Sequence, residues 1–229
     1  MTENTSYFCQ CAIPQPGLGK TKAALLKEFQ WPKGAVITCC FLEGDAGLQN
    51  RVKAVAKEWT GPAMANLELR FVAGPDADVR IAFVQGNGSW SYLGTYCHQI
   101  DKALPTMNYG WLTPASSEDE LRRVVLHEFG HALGLIHEHQ NPQQPIQWNK
   151  PAVYRDLGGP PNNWNKATVD NNIFKKYEPG ALIGTDLDAK SIMMYPIPKA
   201  WTLDGFSAGL NGALSDQDRK LIREAYPHV

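Results

Sequence analysis

The sequence predicts an α+β fold, in which a twisted mixed sheet of five strands is covered by two long helices. A mostly irregular region with a C-terminal helix follows. Apolar strand-like runs and segments of helical periodicity alternate in the order β-α-β-β-β-β-α between residues 31 and 135. Residues 138–190 are rich in Pro, Asn and Gly, which disfavour long regular elements.

The predicted strands are β-branched, apolar or alternating runs bounded by turn-forming residues. They are residues 35–42, 67–72, 79–84, 91–96 and 106–112. The fourth of these runs is short, and we predict that it forms the edge of the sheet.

The predicted helices carry apolar residues at helical spacing with polar residues between them. They are residues 47–60, 118–135, 151–157, 166–177 and 214–226. Ser116 or Ser117 is expected to cap the second of them, which has acidic residues in its first turn, and Ser215 to cap the last.

Residues 1–30 are predicted to form an N-terminal arm or pro-segment ahead of a single domain of residues 31–229. Prolines and glycines between Pro14 and Gly19 break any early element, and residues 20–30 have the pattern of a short amphipathic helix.

Residues 127–137 read H-E-x-x-H-x-x-G-x-x-H and contain three of the six histidines. His127 and His131 lie one turn apart on the same helix face, and Glu128 lies beside them. Gly134 can end the helix in a left-handed conformation, so that His137 returns as a third ligand. Three nitrogen ligands leave one position of a tetrahedral zinc open for water, which is the arrangement of a catalytic site. A shorter H-E-x-x-H would also be compatible with a buried helix whose histidines are hydrogen-bonded, but the full motif favours a metal site.

The motif resembles that of the metzincin zinc endopeptidases, in which a Met-turn follows the histidines. Ser191-Ile192-Met193-Met194-Tyr195 is similar to the S-x-M-x-Y turn of the astacin-like branch, and Glu138 after the third histidine also matches. Leu135 and Asn141 stand where the branch has Phe and Arg, so the resemblance is to a divergent member.

The resemblance implies an endopeptidase with one catalytic zinc ion in a cleft between an upper subdomain, about 31–137, and a lower subdomain, about 138–229. Glu128 would accept the proton of the zinc-activated water and deliver it to the leaving amine. Met193 would lie beneath the metal, and Tyr195 would approach it or stabilise the oxyanion. His139 is expected at the rim of the site.

A polypeptide substrate is expected to add to the sheet edge through main-chain hydrogen bonds. The candidate edge residues are Ser91, Tyr92, Leu93, Gly94 and Thr95. The resemblance also implies that Glu138 binds the N-terminus freed by cleavage near residue 30. If the arm keeps the uncleaved enzyme inactive, a thiolate of Cys9 or Cys11 can do so by binding the zinc. The alternative is that the arm is a plain surface extension.

The composition is ordinary for a globular protein, and a net charge of −1 gives no reason to expect a nucleic acid or an anionic membrane as partner. We expect a monomer. The first thirty residues lack the apolar core of a signal peptide, whereas the resemblance favours export, so the sequence leaves the location open.

The five cysteines cannot all pair within the chain. A disulfide from Cys9 or Cys11 to Cys39 or Cys40 is one reading, with Cys97 alone, and an all-reduced chain is the other.

Two further functions compete with that of an endopeptidase. A zinc hydrolase of a non-protein amide or small peptide would have the same ligands, since the cleft and not the metal selects the substrate. A non-catalytic zinc-binding protein is disfavoured because all three histidines and Glu128 are present.

Overall fold

The structure is a computed structural model that describes residues 10–12, 25–140, 146–176, 182–183 and 187–228. Its strands are β1 (Gln10–Ala12), β2 (Leu25–Leu26), β3 (Val36–Phe41), β4 (Glu68–Phe71), β5 (Val79–Ala82), β6 (Ser89–Tyr92), β7 (Met107–Tyr109) and β8 (Leu182–Ile183). Its α-helices are α1 (Ala46–Ala56), α2 (Glu118–Ala132), α3 (Lys150–Gly158), α4 (Lys166–Val169) and α5 (Asp216–Ala225).

The main sheet confirms the predicted fold class. Its strand order is β1-β6-β7-β5-β3-β4, and β6 runs antiparallel to β7 while every other neighbouring pair is parallel. The five predicted strands are therefore present, and β1 from the arm extends the sheet at the β6 edge.

The predicted edge strand, β6, is second in the sheet, because β1 lies outside it, and it begins and ends earlier than expected. Strand β6 ends at Tyr92, and the 3₁₀ helix Gly94–Gln99 follows. Gly94 has a φ of 43°, and a Cβ on it would lie 1.8 Å from the carbonyl oxygen of Phe29. This left-handed residue, pressed against the incoming chain, turns residues 93–95 away from the strand direction.

A hydrophobic core lies between the sheet and the two long helices, and it includes Ile81, Met107 and Phe129. The C-terminal helix α5 packs into this same core through Leu221 and Ile222. Helix α5, which follows residue 138 in the chain, thus shares the core of the upper part. Its amphipathic face is covered by the upper core, which chain order does not reveal.

A second hydrophobic cluster holds the lower part of the molecule together. It consists of Ile146, Ala152, Val153, Leu157, Trp164, Val169, Ile173, Met194, Tyr195, Ile197 and Trp201. Helices α3 and α4 and a π-helical turn at Asp170–Phe174 supply many of these side chains. The predicted short helices are thus present, with Tyr177 outside the described residues.

The segment before Trp31 differs from the predicted helix over residues 20–30. Strand β2 pairs antiparallel with β8, and the 3₁₀ helix Lys27–Phe29 follows it. Residues 20–24 lie outside the described residues. The strand forms because its partner comes from about 150 residues further along the chain, a contact that local periodicity does not report.

Three buried cysteines, Cys39, Cys40 and Cys97, are free thiols. A disulfide from the arm to Cys39 or Cys40 is therefore not present. Burial raises the pKa of the Cys39 thiol strongly and that of Cys97 to about 12, so both stay protonated and unreactive at neutral pH. None of the helices in the described part of the chain combines the length and apolar character that crossing a bilayer requires.

Candidate metal centre

Helix α2 carries the first two histidines and ends as the sequence predicts. The Ser117 side chain caps it by accepting a hydrogen bond from the Glu120 backbone N–H. At the other end Gly134 has a φ of 94°, which favours glycine. Hydrogen bonds from the Gly134 N–H to the His131 carbonyl (2.8 Å) and from the Leu135 N–H to the Gly130 carbonyl (2.9 Å) close the turn.

The turn after Gly134 brings His137 back against the helix, where it joins His127 and His131. All three side chains are buried, and one nitrogen from each lies within 4.8 Å of the other two. The Nε2 atoms of His131 and His137 are 3.2 Å apart. In the described part of the chain no other group of three or more His, Cys, Asp or Glu side chains converges in this way.

Backbone carbonyls orient two of the three imidazoles. The Nδ1 of His127 lies 2.8 Å from the Ile192 carbonyl oxygen, and that of His131 lies 2.8 Å from the Leu135 carbonyl oxygen. A carbonyl oxygen can only accept, so each Nδ1 carries the proton and each Nε2 presents a lone pair. This pattern is typical of histidines that bind a metal, whose other nitrogen is held by a second group.

The arrangement fits zinc on its own geometry. Two Zn–N bonds of about 2.0–2.1 Å at a tetrahedral angle place their nitrogens roughly 3.3 Å apart. The observed separation of 3.2 Å between His131 and His137 agrees with this. The Nε2 of His127 is buried without a hydrogen-bond partner, which is costly unless a cation binds it.

Burial also keeps the imidazoles neutral, as metal binding requires. It lowers the pKa of His131 to about 4 and the pKa values of His127 and His137 well below their usual range, with mutual repulsion adding to the last two. At neutral pH the lone pairs are therefore free of protons.

The depressed pKa of His131 predicts that acid destabilises the metal-free protein. The unfolded chain takes up the proton below about pH 6.5, whereas the folded chain takes it up only near the folded pKa of about 4. The contribution of His131 to the free energy of unfolding should thus be at its highest above pH 6.5. It should fall by on the order of 3 kcal/mol by pH 4. Urea unfolding of chelator-treated protein at pH 7.5 and at pH 5 measures this change in the free energy of unfolding. Equal stability at the two pH values would contradict the prediction.

Glu128 is fully buried on the same helical turn as the histidines. Tyr195 is buried as well, and its ring centroid lies 4.1 Å from that of His137 and 6.0 Å from that of His127. The structure thus places Tyr195 beside the histidine motif of residues 127–137, although more than fifty residues separate them in the chain.

His139 is not at the rim, and that expectation is wrong. Its side chain is fully buried, with Nε2 2.8 Å from the Asn172 carbonyl oxygen and its ring centroid 4.8 Å from that of Tyr195. The lower cluster closes over it, which a count of three sufficient ligands could not reveal.

Met193 lies in a tight turn directly under α2. The Met194 N–H donates to the Ser191 carbonyl at 3.0 Å and so closes the turn. A Cβ on Gly130 would lie 2.4 Å from the Met193 sulfur, so the missing side chain at residue 130 lets the turn approach the helix. The Met193 carbonyl also accepts from the Glu138 N–H at 3.0 Å, which ties the turn to the segment after His137.

Asp218 is a residue of this site that sequence reasoning missed. It is the third residue of α5 and forms a capping box with Ser215. Its buried carboxylate also accepts from the Ser191 hydroxyl at 2.6 Å and from the Ile192 N–H at 2.8 Å. Ile192 in turn holds His127 through its carbonyl. The Ser-x-x-Asp pattern at 215–218 was visible as a cap, but its second role needs the turn beside it.

We expect Asp218→Ala to weaken zinc binding about 10–100-fold, because it removes the acceptor that positions the turn behind His127. Competition with a chromogenic chelator at neutral pH measures the affinity. Asp216→Ala is the matched control, since Asp216 is exposed in the same first turn of α5. Equal affinities in the two variants would show that Asp218 only caps the helix.

The remaining predicted residues are located as follows. Glu138 is buried and its Oε1 accepts from the Asp188 N–H at 3.1 Å. Ser91 and Tyr92 belong to β6, whereas residues 93–95 turn into the following 3₁₀ helix. Asn141 lies outside the described residues.

Comparisons with known proteins agree with this geometry. No family model and no curated protein matches the sequence. Among solved structures, one of myroilysin is 42% identical over 90% of this chain and 100% of that chain, with a TM-score of 0.87. A second myroilysin structure is 38% identical over 98% of this chain and 93% of that chain, with a TM-score of 0.72. High choriolytic enzyme 1, a hatching enzyme zinc-protease of the medaka Oryzias latipes, shares the fold at 19% identity over 89% of this chain and 96% of that chain, with a TM-score of 0.57.

Proposed function

The chain belongs to the astacin-like branch of the metzincin zinc metalloendopeptidases, and on this premise we propose that it cleaves polypeptides at the three-histidine centre with Glu128 as general base. One observation carries the proposal. Three buried imidazoles each bring one nitrogen within 4.8 Å of the other two, and a fully buried glutamate lies on the helix that carries His127 and His131.

His127, His131 and His137 would hold the zinc ion. When bound, zinc supplies a Lewis acid that activates a water and polarises the scissile carbonyl. Glu128 takes the proton of the attacking water and passes it to the amine that leaves. The Tyr195 hydroxyl donates a hydrogen bond to the negative charge that develops on the substrate carbonyl oxygen. Contact of the Tyr195 and His137 rings supports this role for the tyrosine.

Met193 is proposed to form the apolar floor beneath the metal, as the Met-turn residue of the family. Its close approach to Gly130, one residue before His131, supports this position. We further propose that residues 31–229 form one catalytic unit, with the cleft between the two hydrophobic clusters.

Strand β6 is proposed as the edge to which an extended substrate adds. Parallel pairing of β1 with β6, in the register Gln10 with Trp90 and Ala12 with Tyr92, supports the idea that this edge accepts a peptide backbone. This pairing also favours a polypeptide substrate over a small non-protein amide, which does not need such an edge.

The same pairing supports the proposal that the arm is a removable pro-segment. A substrate and β1 would compete for the same hydrogen-bonding groups of β6. After cleavage near residue 30 the new N-terminus is proposed to bind Glu138, whose carboxylate is buried and bonded to the Asp188 N–H in the present form. We propose that the mature enzyme acts as an exported monomer.

Removal of the metal tests the proposed function directly. Casein cleavage should be lost when the protein is dialysed against 1,10-phenanthroline and should return with one equivalent of zinc. Protein that binds zinc in that experiment but cleaves neither casein nor small peptides, with or without the arm, would favour a non-catalytic protein.

A further inference from the structure

A cavity of about 470 Å³ lies between the upper and lower parts of the molecule. Its upper wall is the loop between β5 and β6 together with Trp90 and Trp111, and its lower wall is the segment from Pro161 to Trp164. Such a volume is within the range of about 300–1,000 Å³ that ligand sites usually have.

The cavity is continuous with the elements that form the proposed cleft. Trp90 belongs to β6, the proposed substrate edge. Trp164 shares the lower hydrophobic cluster with Tyr195, and Trp111 packs against both clusters. A polypeptide lying along β6 would therefore extend over the mouth of the cavity.

Hydrogen bonds and close packing hold the upper wall in place before any ligand arrives. The Gly86 N–H donates to the Gly110 carbonyl at 2.8 Å, and a Cβ on Gly110 would lie 2.2 Å from the Gly88 oxygen, so the two upper segments are in contact. The Gln85 amide donates to the carbonyls of Phe83 and Leu112. A preformed cavity loses little conformational entropy when it binds.

The chemistry of the lining restricts what the cavity can bind. Every lining residue lies in the described part of the chain, and none is Asp, Glu, Lys, Arg or His. A charged side chain would therefore find no counter-charge among the lining residues. Three tryptophans and Pro161 are among the lining residues, and their rings have flat apolar faces; the Trp111 N–H donates to Glu120 at 2.8 Å. Rings stack on such faces with an attraction beyond that of the buried area alone.

We propose that this cavity is a specificity subsite that selects a neutral aromatic side chain of the polypeptide substrate. The proposal rests on the proposed endopeptidase function and adds the class of side chain that it prefers. The exposed Asn87 amide supplies a donor and an acceptor for the peptide groups beside that ring.

Sequencing of the products of a denatured protein mixture tests the proposal first, with the zinc-loaded chain in whichever form cleaves casein. Phe, Tyr or Trp should be enriched at one fixed distance from the cut, and Asp, Glu, Lys and Arg should be depleted there. Matched peptides with Phe or Asp at that position should then differ at least 100-fold in kcat/KM. Cleavage without any such preference would overturn the proposal.

A charge placed on the rim provides the decisive variant. Asn87 is exposed, so Asn87→Lys should fold normally and should reduce the Phe-to-Asp ratio at least 10-fold by attracting the acidic side chain. Asn50→Lys, on the exposed face of α1 and outside the cavity, adds the same charge and should leave the ratio unchanged. An equal ratio in both variants would show that the cavity does not contact the substrate.

A binding measurement separates this proposal from the proposed function. Blocked Ala-Phe-Ala should change the tryptophan fluorescence of the chain in at least one of two forms, full or trimmed to about residue 30, and blocked Ala-Asp-Ala should change it in neither. Saturable binding of the aromatic peptide by a protein that cleaves nothing would leave the subsite standing and overturn the endopeptidase function. No selective binding would overturn the subsite even if cleavage is found.

Discussion

Glu128→Ala is expected to bind zinc as the parent chain does and to lose about 10²–10⁴-fold in kcat on casein, the range for removal of a general acid–base group. We expect the three ligands to remain in place, because backbone carbonyls hold two of them. His127 and His131 are held by the carbonyls of Ile192 and Leu135. Activity is lost because no other carboxylate shares the buried turn of α2 with the histidines.

The measurement compares variants at equal zinc content. Glu128→Gln keeps the shape of the buried side chain, so a similar loss in this variant assigns the effect to proton transfer and not to a cavity. Asp119→Ala is the matched control, because Asp119 is exposed in the first turn of the same helix. Full activity of Glu128→Gln would remove Glu128 from the mechanism.

Removal of the arm up to about residue 30 is expected to raise casein cleavage about 100-fold. This value holds if β1 occupies the β6 edge in roughly 99 of 100 molecules, because the apparent affinity for substrate falls in proportion to the fraction of molecules with a free edge. The register of Gln10–Ala12 on β6 places the arm where a substrate strand would add. A strand that is already paired cannot accept a second one on the same edge.

The control separates strand pairing from metal ligation by the arm. A double variant, Cys9→Ser with Cys11→Ser, removes both thiols and leaves the backbone of β1 able to pair. If pairing alone causes latency, this variant should stay as inactive as the full chain. Activation by the double substitution would favour a thiolate on the zinc, and equal activity of full and trimmed chains would show that the arm is a surface extension.

Much of the upper part could be predicted because its signals are local. Five strands and two long helices follow from periodicities of about two and 3.6 residues. The cap at Ser117 and the left-handed Gly134 likewise follow from residue chemistry at single positions. The three ligands were found in sequence because they lie within eleven residues of one another.

The rest depends on contacts between distant segments. Strand β2 forms only because β8 pairs with it, and β1 only because the β6 edge is available. His139 becomes buried because Asn172 and Tyr195 close over it, although its neighbours in sequence give no hint of that.

The sequence by itself determined the fold class, the metal ligands and the family resemblance. Each of them follows from the spacing of residues along a single helix, strand or turn. Only the tertiary structure decided that Asp218 supports the turn behind His127, that β1 of the arm pairs with β6, and that three tryptophans from separate segments line one cavity. Those features arise where chain segments meet. The free energy that brings them together comes from burying whole faces, and no short stretch of sequence encodes which faces meet.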